Sequence, residues 1–129
     1  MKIEHVALWT KDIERLKAFY ETYFEARAGA KYINPTRGFA SYFLTFPTGA
    51  RLELMHMPSL APRPTALEES RLGYAHVAIS AGSKQEVDDL TARLQSDGHS
   101  VLAGPRYTGD GYYEVTILDV DGNLLEITI

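Results

Sequence analysis

The sequence contains an internal repeat, and this repeat constrains the fold more strongly than any other feature. The run His5-Val6-Ala7-Leu8 recurs as His76-Val77-Ala78-Ile79. Each run alternates strand-forming residues, and each precedes a helical pattern of apolar residues. A chain that repeats a strand and a helix in this way is expected to fold as two similar modules.

A helix is predicted in each half after the repeated strand. In the first half the apolar stripe has Gly29 beyond its end, and it consists of Ile13, Leu16, Tyr20, Tyr23 and Phe24. In the second half the stripe consists of Val87, Leu90 and Leu94. Ser83-Lys84-Gln85-Glu86 is a capping box that starts this second helix, and Asp97-Gly98 ends it.

Three strand-like runs follow each helix. They lie around residues 31–33, 40–46 and 51–56 in the first half and around 100–103, 112–118 and 124–129 in the second. Each half is therefore predicted to be βαβββ, which makes the chain an α+β protein with a single domain over 1–129. Module one covers about 1–57, module two covers about 74–129, and the linker of about 58–73 includes a possible short helix near Leu67.

Strand alternation separates four polar residues from the aliphatic residues beside them. His5 points away from Val6 and Leu8, and Glu53 points away from Leu52 and Leu54. The second half repeats the pattern, because His76 lies opposite Val77 and Ile79, and Glu126 lies opposite Leu125 and Ile127. A single His or Glu on such a face is usually solvated. Four at equivalent places of a repeat predict a shared site.

Two imidazoles and two carboxylates are a ligand set that suits Zn, Ni, Co, Mn or Fe(II). The chain has no cysteine, so any metal is left to nitrogen and oxygen ligands. His56 falls on the opposite face from Glu53, and His99 lies in a turn, so neither is included in the predicted set. The sequence thus predicts one divalent metal ion held by His5, Glu53, His76 and Glu126.

The charge pattern argues against nucleic-acid and membrane partners. The formal net charge is −4 and no basic stripe is present, so a phosphate-backbone footprint is not expected. No apolar stretch is long enough to span a bilayer, and the N-terminal sequence lacks the apolar core of a signal peptide. We therefore expect a cytoplasmic protein that binds a small molecule.

Four motifs together make the sequence similar to the vicinal oxygen chelate superfamily (the glyoxalase, bleomycin resistance and dioxygenase superfamily). Within it the chain resembles the glyoxalase I type, lactoylglutathione lyase. The motifs are His5-Val6-Ala7-Leu8, Arg51-Leu52-Glu53-Leu54, Gly73-Tyr74-Ala75-His76-Val77-Ala78 and Asp119-Val120-Asp121-Gly122-Asn123-Leu124-Leu125-Glu126. The resemblance implies two modules that form a cupped eight-stranded mixed sheet around one metal, with helices on the outer face, in a homodimer.

Ligand identity selects a branch of the superfamily. Its ring-cleaving dioxygenases carry His at the position of Glu53, so this glutamate favours the glyoxalase pattern, in which Glu126 acts as a base and Glu53 assists the proton transfer. Bacterial glyoxalases contact glutathione through an arginine and an asparagine where this chain has Trp9 and Met57. Together with Tyr74, these residues are predicted to bind a different hydroxy-ketone or other carbonyl substrate.

The resemblance thus implies a metal-dependent lyase or isomerase acting on a substrate with vicinal oxygens, a hemithioacetal or an α-hydroxy carbonyl. Two alternatives stay open. One is an extradiol-type dioxygenase that uses Fe(II) with two histidines and one carboxylate. The other is a non-catalytic resistance protein that binds an aromatic or cationic drug, for which Trp9 and Tyr74 would be suitable.

Overall fold

The chain divides into two compact units, Met1–Pro64 (unit one) and Thr65–Ile129 (unit two). The computed structural model describes residues 1–61 and 72–129. The possible helix near Leu67 and most of the predicted linker lie outside the described residues. Each unit contains a helix and its own sheet, which confirms the predicted α+β class.

Unit one contains a helix and a five-stranded sheet. Its elements are β1 (His5–Trp9), α1 (Ile13–Tyr23), β2 (Arg27–Ala28), β3 (Tyr32–Asn34), β4 (Phe39–Thr45) and β5 (Arg51–His56). In the sheet β1 pairs with β5 in parallel, β5 pairs with β4 antiparallel, and β2 and β3 both pair antiparallel with β4. The parallel pairing of the first and last strands is the feature that positions the candidate site.

The described part of unit two repeats this arrangement with four strands. Its elements are β6 (Val77–Ser80), α2 (Lys84–Ser96), β7 (Val101–Tyr107), β8 (Tyr113–Leu118) and β9 (Leu124–Thr128). The strand order is β6-β9-β8-β7, with β6 parallel to β9 and the other pairs antiparallel. The first and last strands of this unit are therefore neighbours, as in unit one.

Side-chain caps define the starts of both helices. The Asp12 carboxylate accepts a hydrogen bond from the Arg15 amide at the start of α1 (3.0 Å). At the start of α2, Ser83 Oγ accepts from the Glu86 amide (3.2 Å) and donates to the Glu86 carboxylate (2.8 Å). These bonds satisfy amides that have no partner within the helix. The capping interaction predicted for α2 is thus present.

Aliphatic residues from one face of each sheet form the core. Leu44, Leu52 and Leu54 are fully or almost fully buried in unit one, as are Val115, Ile117, Leu125 and Ile127 in unit two. The helices contribute buried residues, which are Ile13, Leu16, Phe19 and Tyr20 from α1 and Val87, Thr91 and Leu94 from α2. Alternation along each strand therefore leaves the other face for polar and aromatic side chains.

A tyrosine hydroxyl connects the sheet to the helix in each unit. Tyr42 Oη donates to the Glu14 carboxylate (2.9 Å), and Tyr113 Oη donates to the Asp88 carboxylate (2.6 Å). A lysine ammonium lies over each ring, at 4.7 Å for Lys17 and 4.3 Å for Lys84. The same helix-to-sheet contact, made of a lysine, a carboxylate and a tyrosine, thus occurs twice.

Two differences from the predicted strands exceed one residue. The short strand β2 was not predicted, because two residues are too few to show alternation. Strand β7 extends to Tyr107, whereas the predicted strand ended near residue 103. The prediction stopped early because register shifts at Ala103 and Arg106 interrupt the alternation of the strand. Gly104 lies at this bulge with a φ of +90°, and a Cβ there would lie 2.6 Å from the Glu114 carbonyl oxygen. A side chain at this position would therefore disrupt the pairing of β7 with β8.

Candidate metal centre

The first candidate ligand pair, His5 and Glu53, lies on neighbouring strands of unit one. In the parallel pairing of β1 with β5, Ala7 is the partner of Glu53, so His5 is two residues before the residue beside Glu53. The distance from His5 Nε2 to Glu53 Oε2 is 3.8 Å. The imidazole is 40% exposed and the carboxylate 16% exposed. The pair is therefore accessible from one face of the sheet.

The second candidate pair, His76 and Glu126, has the same strand offset in unit two. Ala78 of β6 is the partner of Glu126 of β9, and His76 is again two residues earlier. The distance from His76 Nε2 to Glu126 Oε2 is 3.1 Å, and the exposed fractions of the two side chains are 40% and 21%. The internal repeat therefore extends from the sequence to the geometry of the pair.

The spacing within each pair can be compared with the spacing that chelation of a divalent ion requires. Ligand bonds of about 2.0–2.2 Å place a nitrogen and an oxygen about 2.9 Å apart at a right angle and about 3.4 Å apart at a tetrahedral angle. The His76–Glu126 pair is within this range, and the His5–Glu53 pair exceeds it by a few tenths of an ångström. Among residues 1–61 and 72–129, no group of three or more candidate ligands forms a metal cluster. The described ligands thus occur as two pairs.

His5 has additional polar and aromatic neighbours. Its Nδ1 atom is hydrogen-bonded to Glu4 Oε2, while Glu4 Oε1 accepts from the Arg51 guanidinium, with 2.8 Å to Nε. The His5 hydrogen bond, followed by that of Arg51, lowers the pKa of the Glu4 carboxyl below its usual range. Phe43 meets the His5 ring edge to face at 5.3 Å, and the Arg51 guanidinium lies 4.1 Å from the Phe43 centroid. The imidazole is therefore held on both its polar and apolar sides.

Aromatic side chains lie on the same face of the unit-one sheet as Glu53. Trp9 is the partner of Met55 in the β1–β5 pairing, and its indole meets the Phe39 ring edge to face at 6.1 Å. Tyr32 contacts Phe39 at the same distance. Trp9 is 47% exposed, so its indole is available to a ligand, while the thioether of Met57 accepts from Ser59 Oγ (3.3 Å).

The corresponding face of the unit-two sheet is more polar. Thr116 is the partner of Glu126 in the β8–β9 pairing, and Glu114 is two residues away on the same face. The Arg106 guanidinium lies 3.7 Å from the Glu114 carboxylate. Tyr74, predicted to bind substrate, precedes β6 and is fully exposed.

The two remaining histidines have other surroundings. His56 Nδ1 is hydrogen-bonded to the carbonyl oxygen of Thr10 at 3.0 Å, which is a structural contact between β5 and the end of β1. His99 follows α2, and its amide donates to the Leu94 carbonyl (2.9 Å). Neither residue is placed by these contacts beside a candidate ligand.

Sequence reasoning did not find the contacts of Glu4 with His5 and Arg51, nor the pair of Arg106 with Glu114. The contact with Arg51 follows from the register of β1 with β5, in which His5 is the partner of Arg51, and no pattern in the sequence reveals that register. The bulge in β7 hides the second, because it breaks the alternation that would place Arg106 beside Glu114.

Comparison with known proteins identifies the family. The family model described as Glyoxalase/Bleomycin resistance protein/Dioxygenase superfamily matches residues 2–127. The chain belongs to this superfamily, and the α+β fold of its described residues, with two helices and two sheets, is the fold of that superfamily. It is also 30% identical over 131 residues to the uncharacterized protein PA2024 of Pseudomonas aeruginosa, an alignment that covers 98% of this chain and 86% of PA2024.

Solved structures show the same fold. A glyoxylase/bleomycin resistance protein/dioxygenase domain from Frankia sp. EAN1pec matches with a TM-score of 0.81 at 18% identity, covering 100% of this chain and 97% of that domain. Lactoylglutathione lyase from Agrobacterium tumefaciens matches with a TM-score of 0.68 at 25% identity, covering 98% and 91%. Superfamily members generally bind a divalent metal and small-molecule substrates, and they often dimerise. No helix within the described residues has the length and apolar character that crossing a membrane requires.

Proposed function

We propose that this chain is a metal-dependent lyase or isomerase of the glyoxalase I type. Its substrate would carry two vicinal oxygens, as in a hemithioacetal or an α-hydroxy carbonyl. The observation that carries this proposal is the repeated His–Glu pair, with the same strand offset in both units and distances of 3.8 and 3.1 Å. Unrelated surface ion pairs would have no reason to occupy equivalent positions of a repeat.

The proposed metal ligands are the members of the two pairs, with one divalent ion per site. His5, Glu53, His76 and Glu126 would hold Ni, Zn, Co or Mn, since two imidazoles and two carboxylates are suitable for borderline divalent metals. A bound metal ion supplies Lewis acidity that stabilises negative charge on the substrate oxygens. The similarity to the lactoylglutathione lyase of Agrobacterium tumefaciens supports this assignment.

The chain's own residues would carry the proton. In the proposed reaction Glu126 removes a proton from the carbon beside the carbonyl, and the electron pair of that bond forms an enediolate. Glu53 assists delivery of a proton to the neighbouring carbon, so that the overall change is an isomerisation. The partial exposure of both carboxylates is consistent with contact to substrate.

The aromatic residues on the Glu53 face of the unit-one sheet (the unit-one wall) favour a substrate that has an apolar group beside its vicinal oxygens. Trp9, Phe39 and Tyr32 provide ring faces and edges on the same side of the sheet as Glu53. Aromatic surfaces of this kind contribute to ligand affinity through burial and ring contacts. We include Met57 and Tyr74 in the proposed substrate contacts, as expected from the sequence.

We also propose that the protein is a cytoplasmic homodimer. Among the described strands, β1 and β6 each pair on one edge only, and unpaired strand edges favour pairing. Sedimentation at micromolar concentration measures this directly. A monomer throughout that range would contradict the dimer.

Metal analysis followed by a turnover assay tests the proposed function. We expect about one divalent metal per site, loss of activity on chelation, and turnover of the methylglyoxal–glutathione hemithioacetal or of an α-hydroxy carbonyl. Oxygen consumption with a catechol and Fe(II) would instead favour the dioxygenase. Binding of an aromatic drug by a protein that takes up no metal would favour the resistance protein.

A further inference from the structure

Glu4 joins two groups through separate oxygen atoms. Its Oε1 accepts from Nε and Nη2 of Arg51, while its Oε2 contacts Nδ1 of His5. An arginine guanidinium only donates hydrogen bonds, and an ionised carboxylate only accepts them. The His5 ring must therefore carry a hydrogen on Nδ1 to complete this contact.

The consequence for His5 concerns its second nitrogen. A neutral imidazole with hydrogen on Nδ1 has its lone pair on Nε2, which is the atom that faces Glu53 at 3.8 Å. Metal-binding histidines in proteins are commonly oriented by a carboxylate or carbonyl on the other ring nitrogen. Within residues 72–129, no carboxylate makes this contact with Nδ1 of His76, so the arrangement distinguishes the two pairs.

We propose that Glu4, held by Arg51, is a positioning residue that fixes the tautomer and direction of the His5 imidazole so that Nε2 is available to a metal. The role of Glu4 in metal binding rests on the proposed function. The position of the hydrogen on Nδ1 does not, because it is a property of the metal-free protein.

Two substitutions of Glu4 separate hydrogen-bond direction from charge. Glu4→Ala removes the acceptor and leaves the tautomer free. Glu4→Gln removes the same charge but keeps one oxygen and one amide nitrogen. Because Arg51 can only donate, the amide oxygen is expected to face Arg51, which turns the NH2 group toward His5. Nδ1 must then accept, and the hydrogen moves to Nε2, where it blocks the metal.

Nitrogen-15 NMR of the His5 ring in the metal-free protein measures the tautomer directly, at a pH of about 8.5 where imidazole is ordinarily neutral. We expect hydrogen on Nδ1 in the unmodified protein, a mixture in Glu4→Ala, and hydrogen on Nε2 in Glu4→Gln. Adding Arg51→Met to Glu4→Gln frees the amide to rotate and should return the ring toward the mixture. An identical Nδ1–H tautomer in all variants would overturn the proposal.

Zn(II) affinity, measured by competition with a chromophoric chelator, gives the second readout. We expect Glu4→Ala to lower Zn(II) affinity about tenfold. This is the lower end of the range for loss of a carboxylate that orients a ligand, because Glu4 is half exposed. Glu4→Gln should lower the affinity further. Glu114→Gln is the matched control, since Glu114 is paired with Arg106 and its removal changes the charge equally. We expect less than about a threefold change for it.

The pattern of results separates this proposal from the proposed function. Equal Zn(II) losses in Glu4→Ala, Glu4→Gln and Glu114→Gln would overturn the positioning role in favour of a general charge effect. If the unmodified protein binds no metal, the proposed function fails. The NMR measurements on the Glu4 variants still show whether Glu4 fixes the hydrogen on Nδ1 of His5. Circular dichroism and thermal unfolding confirm that each variant is folded.

Discussion

The two units present the same pair of ligands on faces of different chemistry. In unit one the histidine and glutamate lie beside Phe43 and the aromatic residues Trp9 and Phe39. In unit two the strand positions beside Glu126 carry Thr116 and Glu114. The repeat thus retains the pair and differs in the residues around it, so the pair is the part of this face that the two copies have in common.

The largest expected effect compares the two glutamates. Glu126→Gln should retain much of the metal and lose a hundredfold or more in turnover, because an amide oxygen coordinates weakly but cannot accept the proton. Glu53→Gln should be impaired less, since in the proposed reaction Glu53 only assists the transfer. Metal content and turnover must be measured on the same preparations, because an empty site would also be inactive.

A larger loss of turnover in Glu53→Gln than in Glu126→Gln would exchange the proposed roles of the two glutamates. If Glu53→Gln lost more turnover than Glu126→Gln at equal metal content, the base would be in unit one. Wild-type turnover by metal-loaded Glu126→Gln would remove the base assignment altogether.

The next largest expected effect is the loss of metal affinity when either of the two histidines is replaced by alanine. His5→Ala and His76→Ala should each weaken binding by on the order of a hundredfold or more, since loss of an outer-shell partner alone costs about 10- to 100-fold. Neither change should unfold the protein, because both rings are partly exposed. Isothermal titration with Zn(II) measures the loss.

His56→Ala is the matched control for these variants. Its ring contacts the Thr10 carbonyl, so we expect unchanged metal affinity. An unchanged affinity in His76→Ala, or an equal loss in His56→Ala, would contradict the ligand assignment.

Sequence reasoning predicted the parts of the fold that depend on local periodicity. Alternation identified the buried face correctly, as Leu52 and Leu54 in β5 and Leu125 and Ile127 in β9 show. The repeat marked His5, Glu53, His76 and Glu126 as equivalent positions, and in each unit the histidine and the glutamate lie within 4 Å of each other. That the four residues share one metal ion stays a prediction. These features follow from residues close in sequence or from equivalent places in the two copies.

Contacts that depend on strand register were beyond this reasoning. Glu4 and Arg51 are brought together by the β1–β5 pairing, and no pattern in either segment reveals it. Similarly, the bulge at Gly104 changes which face Arg106 occupies. A single sequence indicates which face of a strand is apolar, but it does not determine which residue of a distant strand lies beside a given side chain.

A smaller effect compares the helix-to-sheet contacts. Tyr113→Phe should lower the melting temperature by about 2–4 °C, because a hydrogen bond of a buried ring to Asp88 is lost. Tyr42→Phe should lower the melting temperature less, since the hydrogen bond of Tyr42 to Glu14 is exposed to solvent. Tyr32→Phe, in which the altered ring is exposed, serves as control in thermal unfolding. A larger effect of Tyr42→Phe would contradict the ranking by burial.

The smallest effect concerns acid stability and the carboxylate of Glu14. Hydrogen bonds from Lys17, then Lys31 and Tyr42, lower its pKa from 4.5 to about 2 in the folded protein. A carboxyl with a lower pKa in the folded state stabilises the fold above its unfolded pKa, and this contribution is lost as the pH falls from about 4.5 toward about 2. Glu14 is more than half exposed, so solvent screening limits the contribution to about 1 kcal/mol or less.

The difference between the unmodified protein and Glu14→Gln measures this contribution. In urea unfolding, we expect the unmodified protein to be more stable at pH 7, with the difference in unfolding free energy shrinking toward zero near pH 2. Asp88→Asn in unit two should show the same direction, because hydrogen bonds from Lys84 and Tyr113 lower the pKa of Asp88. A stability difference that stays constant across this pH range would show that Glu14 contributes by packing, since a contribution from its charge must disappear when the carboxyl is protonated.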